Sequence, residues 1–426
     1  MRDTAVVVVG AGIVGTAIAS RLLLGGHRVT LIDMRPPGEY CSWGNAGILS
    51  PGSCVPFGLP GTLRKVPGWL LDPLGPLSIR PSYLPRLLPW LARFVAASRI
   101  DHVNRIADGL RALLLNTFDD WLPLARWAGA EQLIRRTGYL VVYETESGWR
   151  DSSLSWRLRR ERGVVCQELD RAQIGDLEPE IAARFARGMF LPDHGFVANP
   201  GELTRSLARQ FCSEGGVLVR DRVLQILREG ARATGVATQN GAIEADAVVV
   251  AAGVHSAEIS RTLGDPVPLE SQRGYHVEFR GRQSLLRHPV MSGEGTFFAT
   301  PMDTGLRIAG AVEFAGLRAE PNYRRAAALA VLARRMIPAI TEAEASNWMG
   351  HRPCTPDTLP VIGRASRVSN VFYAFGHGHL GLGMGSATAR LIGELVDGLS
   401  TSLDIAPYEA RRFRGQPAAG NASACL

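Results

Sequence analysis

Residues 5–33 read AVVVVGAGIVGTAIASRLLLGGHRVTLID, and this stretch decides the fold. Its opening run, AVVVV, is apolar throughout, which is typical of a strand buried on both faces of a sheet. Apolar side chains then recur at helical spacing until Gly25 and Gly26 end the pattern, and RVTLID resumes as a strand. The stretch therefore predicts a βαβ unit, in which a helix joins two parallel strands.

The turn between the first strand and the helix, GAGIVG at residues 10–15, is suited to holding a diphosphate. Gly10 permits the tight turn, Gly12 lets the backbone approach a pyrophosphate, and Gly15 lets the helix pack close to the strand. The helix N-terminus supplies free N–H groups and the positive end of a dipole. Asp33 ends the second strand, where a carboxylate would accept hydrogen bonds from ribose hydroxyls and repel the 2′-phosphate of NADP. We predict a dinucleotide site for NAD or FAD.

The composition excludes several classes of protein. The chain has 426 residues, 46% of them hydrophobic, which is enough for a large core and two domains. Lys plus Arg (47) exceed Asp plus Glu (40), but no nucleic-acid-reading motif accompanies the charge, so we expect no nucleic-acid partner. Lys65 is the only lysine, which argues against phosphate-loop ATPases, pyridoxal enzymes and Schiff-base aldolases.

The cysteines and the N-terminus indicate where the protein works. The six cysteines show no CxxC motif and no metal-like spacing, which favours reduced thiols and no metal site. The chain passes from Met1 straight into the first strand, and no apolar run reaches the length of a membrane span. We therefore expect a cytoplasmic protein.

Two further buried strands are predicted at residues 246–252 and 371–375. Between them the segments HVEFR, TFFAT and GLRIAGAVEF alternate in the manner of antiparallel strands. The strand at 371–375 leads into a second glycine-rich turn, GHGHLGLGMG at residues 376–385, and then into a helical pattern. The sequence thus predicts nucleotide-type strands from both ends of the chain with an antiparallel sheet between them.

Residues 81–100 form a basic amphipathic stretch with leucines on one side and arginines elsewhere. Such a helix either lies on a membrane surface or packs its apolar side on its own domain. The sequence leaves both interpretations open.

Six separated segments resemble, in order, a family of FAD-dependent amine oxidoreductases that includes D-amino acid dehydrogenase, glycine oxidase and sarcosine oxidase. The segments are VVVVGAGIVGTAIASRLLLGGHRVTLID, CSWGNAGILSPG, LPDHGFVANPGELTRSLA, ADAVVVAAGVHS, GHRPCTPDTLPVIG and FYAFGHGHLGLGMGSATARLIGELVDG. Within the family, SWGNAGILSPG with its downstream proline-rich segment is most similar to the bacterial D-amino acid dehydrogenase branch.

The resemblance implies an α/β plus α+β architecture: a glutathione-reductase-like, Rossmann-type FAD-binding domain and a substrate domain built on an antiparallel sheet. It places the FAD-binding domain in three separated ranges, 1–80, 186–265 and 345–414. The substrate domain would comprise 81–185 and 266–344, and residues 415–426 would form a loose tail.

The resemblance also implies which residues hold FAD, which we expect to be noncovalent because neither Cys41 nor Cys354 matches the family's known linkage. The helix after the second turn would direct its N-terminal N–H groups at the pyrimidine edge of the flavin. The expected cofactor-binding residues are Gly10, Gly12, Ile13, Val14, Gly15, Asp33, Met34, Arg35, Ser42, Asn45, Ala46, Gly47, Ile48, Val223, Ala251, Ala252, Gly253, Gly378, His379, Leu380, Gly381 and Leu382.

Four residues are the expected catalytic set. Arg352 matches the arginine that clamps the substrate carboxylate in relatives similar to glycine oxidase, a task that suits a bidentate guanidinium. Tyr275 and His276 are candidates to orient the substrate, with ordinary packing as the alternative for each. His379 is expected to border the flavin or the substrate, and a purely structural role is its alternative.

The implied reaction is oxidation of a D-amino acid, including D-proline or hydroxyproline types, by hydride transfer from the α-carbon to flavin N5. The missing lysine beside the flavin favours a dehydrogenase that passes electrons to a quinone or another respiratory carrier, with peripheral membrane contact through residues 81–100. The alternatives are a glycine or sarcosine oxidase that produces hydrogen peroxide, and a flavin subunit of a hetero-oligomeric amine or opine oxidase.

Overall fold

The computed structural model describes residues 4–341 and 344–414. The loose tail predicted at 415–426 lies outside the described residues. The strands are β1 (Ala5–Val9), β2 (Arg28–Asp33), β3 (Ile48–Leu49), β4 (Leu77–Ile79), β5 (Ile134–Arg135), β6 (Tyr139–Tyr143), β7 (Gln167–Asp170), β8 (Arg187–Leu191), β9 (Gly195–Val197), β10 (Val217–Arg220), β11 (Val223–Glu229), β12 (Arg232–Thr238), β13 (Gly241–Glu244), β14 (Ala247–Val250), β15 (Glu270–Phe279), β16 (Val290–Ser292), β17 (Phe297–Met302), β18 (Gly305–Phe314), β19 (Ala345–Cys354), β20 (Val361–Arg364) and β21 (Val371–Phe375). The helices are α1 (Ile13–Leu24), α2 (Cys41–Gly44), α3 (Thr62–Leu71), α4 (Leu84–Ala97), α5 (Ile100–Leu114), α6 (Thr117–Trp127), α7 (Glu146–Asp151), α8 (Ser153–Glu161), α9 (Arg171–Leu177), α10 (Pro200–Ser213), α11 (Ser256–Thr262), α12 (Arg324–Met336) and α13 (Gly381–Val396).

A six-stranded sheet in the order β10-β2-β1-β14-β21-β20 forms the nucleotide-binding half of the molecule. Strand β1 pairs in parallel with β2 and β14, and β14 pairs in parallel with β21. The strands predicted at 5–9, 246–252 and 371–375 are therefore confirmed as β1, β14 and β21. Because parallel strands end at the same edge of a sheet, the turns after β1, β14 and β21 lie together.

The other half is built on a nine-stranded, mostly antiparallel sheet whose central strands are β15, β17 and β18. Side chains of β15 alternate between its two faces. Tyr275, Val277 and Phe279 pack in one core cluster with Leu329 and Ala333 of α12. The intervening positions face the nucleotide-binding half. The predicted antiparallel sheet is thus confirmed. Because side chains alternate along each strand, every second residue faces the nucleotide-binding half.

The domain boundaries expected at 80/81, 185/186 and 344/345 do not follow the sheets. Strand β4 pairs with β18, β8 pairs with β6, and β19 pairs with β15, so all three belong to the nine-stranded sheet. The boundaries misplace these strands because long-range backbone pairing leaves no local signal in the sequence. As a result Arg352, which lies on β19, belongs to the substrate sheet.

Helix α4 contains most of the amphipathic stretch at residues 81–100. Leu87 and Trp90 are buried with Phe314 and Cys354, so part of the apolar side packs on the substrate sheet. Three other large apolar side chains of the helix are exposed: Leu84, Leu88 and Val95. Among the described residues, no helix has the length and apolarity needed to span a membrane.

Candidate active site

A cavity of about 980 Å³ lies between the two halves of the molecule. Its lining extends from Gly12, after β1, and Asp33, the last residue of β2, to His379 after β21 and Arg352 on β19. Both glycine-rich turns therefore open into the same space, although they lie at opposite ends of the sequence.

The carboxylate of Asp33 is held at the end of β2 by two backbone donors. Its oxygens accept hydrogen bonds from the N–H of Ala11 at 2.7 Å and from that of Arg35 at 2.9 Å. Ser42 supports the same region, because its hydroxyl accepts from the N–H of Ile13 at 2.8 Å. The start of α1 has no acidic residue in its first turn. The end of the cavity beside α1 thus combines N–H donors with a fixed carboxylate.

The three glycines of the first turn differ in what they accommodate. Gly10 has φ of +111°, and a Cβ there would lie 2.4 Å from the carbonyl oxygen of Ala251. A Cβ on Gly15 would lie 1.8 Å from the carbonyl oxygen of Gly10. On Gly12, by contrast, the nearest atom would be the Ser42 hydroxyl at an ordinary 3.4 Å. Gly10 and Gly15 therefore serve the chain's own packing, whereas Gly12 leaves open a backbone surface that fits a pyrophosphate.

The side chain of Asn45 fixes the backbone of the loop after α2 through hydrogen bonds. The amide of Asn45 donates to the carbonyl oxygen of Ser42 at 2.8 Å and accepts from the N–H of Gly47 at 2.7 Å. Gly47 has φ of +73°, which favours glycine, and a Cβ there would lie 2.7 Å from the carbonyl oxygen of Val197. These contacts fix a stretch of backbone, residues 42–47, along the cavity.

The substrate sheet also holds this loop, through a residue that sequence reasoning missed. The buried guanidinium of Arg307 donates to the carbonyl oxygens of Trp43 at 2.8 Å and Asn45 at 3.0 Å, and it pairs with Glu278 at 2.7 Å. The only signal for Arg307 was a charged residue within a strand pattern. Its contacts join the two halves at the cavity.

The second turn presents the N-terminus of α13 to the cavity. Gly378 donates its N–H to the carbonyl oxygen of Pro353 at 2.9 Å, which ties the turn to the end of β19. The first turn of α13 has neither an acidic residue nor a side-chain cap. Its positive dipole end therefore remains available to a negative charge in the cavity.

The two histidines of this turn have different environments. His377 is buried and lies 2.9 Å from the hydroxyl of Thr388, which supports a structural role. The ring of His379 faces the cavity, and its centroid lies 4.2 Å from that of Phe57. Burial lowers the pKa of His377 to about 3, so it is neutral at pH 7. Loss of hydration also lowers the pKa of His379, whose side chain is exposed to the open cavity.

Arg352 projects from β19 across Gly274 of the neighbouring strand. A Cβ on Gly274 would lie 2.3 Å from the guanidinium carbon, so the glycine makes room for the arginine. The guanidinium donates to the carbonyl oxygen of Ala311 at 2.9 Å and, more weakly, to that of Gly310 at 3.4 Å. Ala311 has φ of +56° at an irregularity between β15 and β18, which turns its carbonyl toward the guanidinium.

No carboxylate among the described residues pairs with Arg352. Burial lowers its pKa, but a guanidinium stays protonated at all physiological pH values. A cation that is partly buried without a counter-charge loses hydration that no partner replaces, and an anion that enters the cavity would supply that charge. This geometry suits a bound carboxylate.

Gln272 is a second residue that sequence reasoning missed. It lies directly opposite Arg352 in the pairing of β15 with β19 and lines the cavity. Its side chain is 4% exposed, and its Oε1 has no hydrogen-bond partner within the described structure. An unsatisfied buried acceptor beside an unpaired cation favours a ligand with both a carboxylate and an N–H donor. No motif marked Gln272, because its role depends on strand register.

Tyr275 and His276 are both engaged by the protein itself. Tyr275 donates to Glu313 at 2.5 Å and accepts from the N–H of Asn322 at 2.9 Å, and its ring packs on the α12 side of the sheet. Nδ1 of His276 lies 2.9 Å from the carbonyl oxygen of Gly44, and its ring stacks on Trp348. Burial lowers the pKa of His276 to about 3. Packing accounts for the contacts of both side chains.

The cavity brings together most of the residues expected from the sequence. Every expected cofactor-binding residue lines it except Gly15, which lies beneath the first turn. Of the expected catalytic set, Arg352, His379 and Tyr275 line it and His276 does not. Their individual roles stay predictions.

A family model described as FAD dependent oxidoreductase matches residues 5–395. The chain belongs to this family. It is 39% identical over 415 residues to a protein of Bradyrhizobium diazoefficiens named D-amino-acid oxidase, with 96% of this chain and 98% of the relative covered. It is 32% identical over 429 residues to D-amino acid dehydrogenase 2 of Ralstonia nicotianae, with 96% and 100% covered.

This FAD-dependent oxidoreductase has the same fold as several proteins of known structure. Glycine oxidase from Geobacillus kaustophilus superposes with a TM-score of 0.73 at 24% identity, covering 97% of this chain and 100% of that one. L-proline dehydrogenase from P. horikoshii gives a TM-score of 0.74 at 20% identity, covering 96% and 98%. The combination of a Rossmann-type domain with an antiparallel substrate sheet is therefore confirmed, and FAD is the dinucleotide.

The cysteines near the cavity remain thiols. The thiol of Cys41 donates to the carbonyl oxygen of His351 at 3.0 Å, and Cys354 is buried. Burial raises the pKa of each to about 12, so neither is a thiolate at neutral pH. This supports the expectation that FAD is bound noncovalently.

Proposed function

We propose that this FAD-dependent oxidoreductase oxidises D-amino acids. The observation that carries the proposal is the partly buried guanidinium of Arg352, which lines the cavity and has no carboxylate partner among the described residues. The names of the relatives, D-amino-acid oxidase and D-amino acid dehydrogenase, support the same substrate class.

The chain's own residues would position the substrate. When bound, FAD supplies the hydride acceptor at its N5 atom. Arg352 would bind the substrate carboxylate with two parallel hydrogen bonds, and Gln272 would accept a hydrogen bond from the amine. The N-terminus of α13 would stabilise negative charge that develops in the cavity, where buried donors act strongly. Neutral His379 would border the reacting groups without adding a positive charge.

Substitution of Gln272 tests its proposed contact with the amine. We expect Gln272→Leu to lower kcat/KM about 10-fold to 100-fold, because one buried acceptor is lost. Gln272→Glu should be worse, since its carboxylate would pair with Arg352 and compete with the substrate. Steady-state kinetics with D-amino acids measures both variants. Equal kcat/KM in wild type and both variants would contradict the contact.

We propose a quinone or another respiratory carrier as the electron acceptor. Relatives named D-amino acid dehydrogenase support it. Lys65, the only lysine, is ion-paired with Asp151 at 2.7 Å and is not among the residues that line the cavity. Exposed Leu84 and Leu88 on α4 support peripheral contact with the membrane through residues 81–100.

Oxygen is the second candidate acceptor, because the relative that is 39% identical is named an oxidase. Two measurements on the purified holoprotein test the function. Anaerobic mixing with D- and L-amino acids, glycine, sarcosine and D-proline should bleach the flavin with D-amino acids. A turnover assay with a quinone analogue against oxygen should then favour the quinone, and rapid peroxide release would establish the oxidase instead. A yellow protein that no amine bleaches would favour a flavin subunit of a hetero-oligomer.

A further inference from the structure

One side of the cavity is formed by a continuous piece of chain to which the proposed function assigns no contact with the substrate. We call it the apolar wall, and it comes from residues 55–95, which include α3, β4 and α4. Its members are Val55, Pro56, Phe57, Leu59, Thr62, Leu63, Val66, Trp69, Pro76, Leu77, Ile79, Trp90, Leu91, Phe94 and Val95.

The apolar wall lies beside the proposed carboxylate clamp. Strand β4 pairs with β18 so that Leu77 lies opposite Val312, the residue after Ala311. The carbonyl of Ala311 is the one that holds Arg352. At its other end the wall reaches the second turn, where Phe57 contacts His379. The wall therefore faces the space between the guanidinium and the N-terminus of α13.

Thr62 is the single polar member of the wall, and its hydroxyl already accepts from the N–H of Leu59 at 3.1 Å. Arg64 and Lys65 of α3 do not line the cavity. A charged side chain against this wall would lose hydration and gain no partner. A small side chain would leave apolar surface uncovered, since Phe57 is 37% and Leu63 is 54% exposed.

We propose that the substrate carries a large apolar side chain, which packs on the apolar wall while its carboxylate binds Arg352. This rests on the proposed function, because it takes Arg352 as the site of the carboxylate. The occupant of the wall is then the side chain of an amino acid such as D-phenylalanine, D-leucine or D-methionine.

A panel of D-amino acids tests the inference on the holoprotein. We expect kcat/KM for D-phenylalanine, D-leucine and D-methionine to exceed that for D-aspartate, D-lysine and glycine by about 100-fold or more. Higher kcat/KM for glycine or for the charged amino acids would overturn the inference and leave the function intact. Failure of every D-amino acid to reduce the flavin would instead overturn the proposed function.

A pair of substitutions on α3 tests whether the substrate side chain contacts the apolar wall. Leu63→Arg adds a positive charge to the cavity, so we expect it to lower kcat/KM for D-phenylalanine about 10-fold to 100-fold and to raise that for D-aspartate. Leu71→Arg is the matched control, since Leu71 is on the same helix, is 84% exposed and does not line the cavity. Both positions are exposed, so both variants should fold, and flavin content checks this. Identical substrate profiles for the two variants would overturn the inference.

Discussion

Arg352→Met is expected to lower kcat/KM for D-amino acids about 1,000-fold, which matches the cost of removing one partner of a buried ion pair. The substrate carboxylate would enter a buried site with no cation, and its hydration would not be replaced. Arg352→Lys keeps the charge but loses the planar fork, so we expect an intermediate loss. Steady-state kinetics with D-amino acids measures both.

The thermal stability of Arg352→Met distinguishes a role of Arg352 in binding the substrate carboxylate from a role in holding the fold together. Arg352 is a partly buried cation without a carboxylate partner in the described structure, so methionine at this position should raise the thermal midpoint. Flavin content should stay at the wild-type level. Arg335→Met, at an exposed position of α12 outside the cavity, is the matched control. It should change neither the thermal midpoint nor the flavin content. Wild-type kcat/KM in Arg352→Met would show that the carboxylate binds elsewhere.

Gly12→Ala is expected to yield a folded protein that loses FAD, whereas Gly15→Ala should damage the fold itself. The added methyl group at Gly12 meets only Ser42, at 3.4 Å, so it is accommodated by the protein and intrudes where the pyrophosphate is expected. We expect FAD affinity to fall about 100-fold or more. At Gly15 the same methyl group would lie 1.8 Å from the carbonyl oxygen of Gly10. That overlap should lower the free energy of unfolding by about 3 kcal/mol.

Comparison of the proteins without FAD isolates the two effects, because bound cofactor itself stabilises a fold. Urea unfolding of deflavinated Gly12→Ala should match deflavinated wild type, and Gly15→Ala should unfold at lower urea. Titration with FAD, followed by flavin fluorescence, gives the affinities. Wild-type FAD affinity in Gly12→Ala would place the pyrophosphate away from the first turn.

Local patterns were enough to predict the nucleotide-binding half. The apolar run of β1, the helical spacing of α1 and the glycines between them depend on neighbours in the sequence. Asp33 and the second turn at 376–385 follow buried strands in the same way. Hence the sequence predicted both ends of the cavity.

The substrate side of the cavity depends on register, which the sequence does not carry. The segment HVEFR was correctly predicted to be an antiparallel strand, but the period of two packs the neighbouring Tyr275 with the α12 cluster. Gln272 lies beside Arg352 only because the two residues are paired between β15 and β19. Arg307 reaches the site because it donates hydrogen bonds to carbonyl groups of a loop more than 250 residues earlier in the sequence. Such residues are recognised only once the sheets are paired.

The separation of the two glycine-rich turns has a consequence for how the protein is made. When the ribosome has produced the first 240 residues, α1 and Asp33 exist, but β14, which flanks β1, does not. The N-terminus of α13 follows only at residue 381, about 130 residues after β14. A growing chain therefore lacks a complete flavin pocket until α13 has left the ribosome, and FAD loading follows the joining of the two sheets.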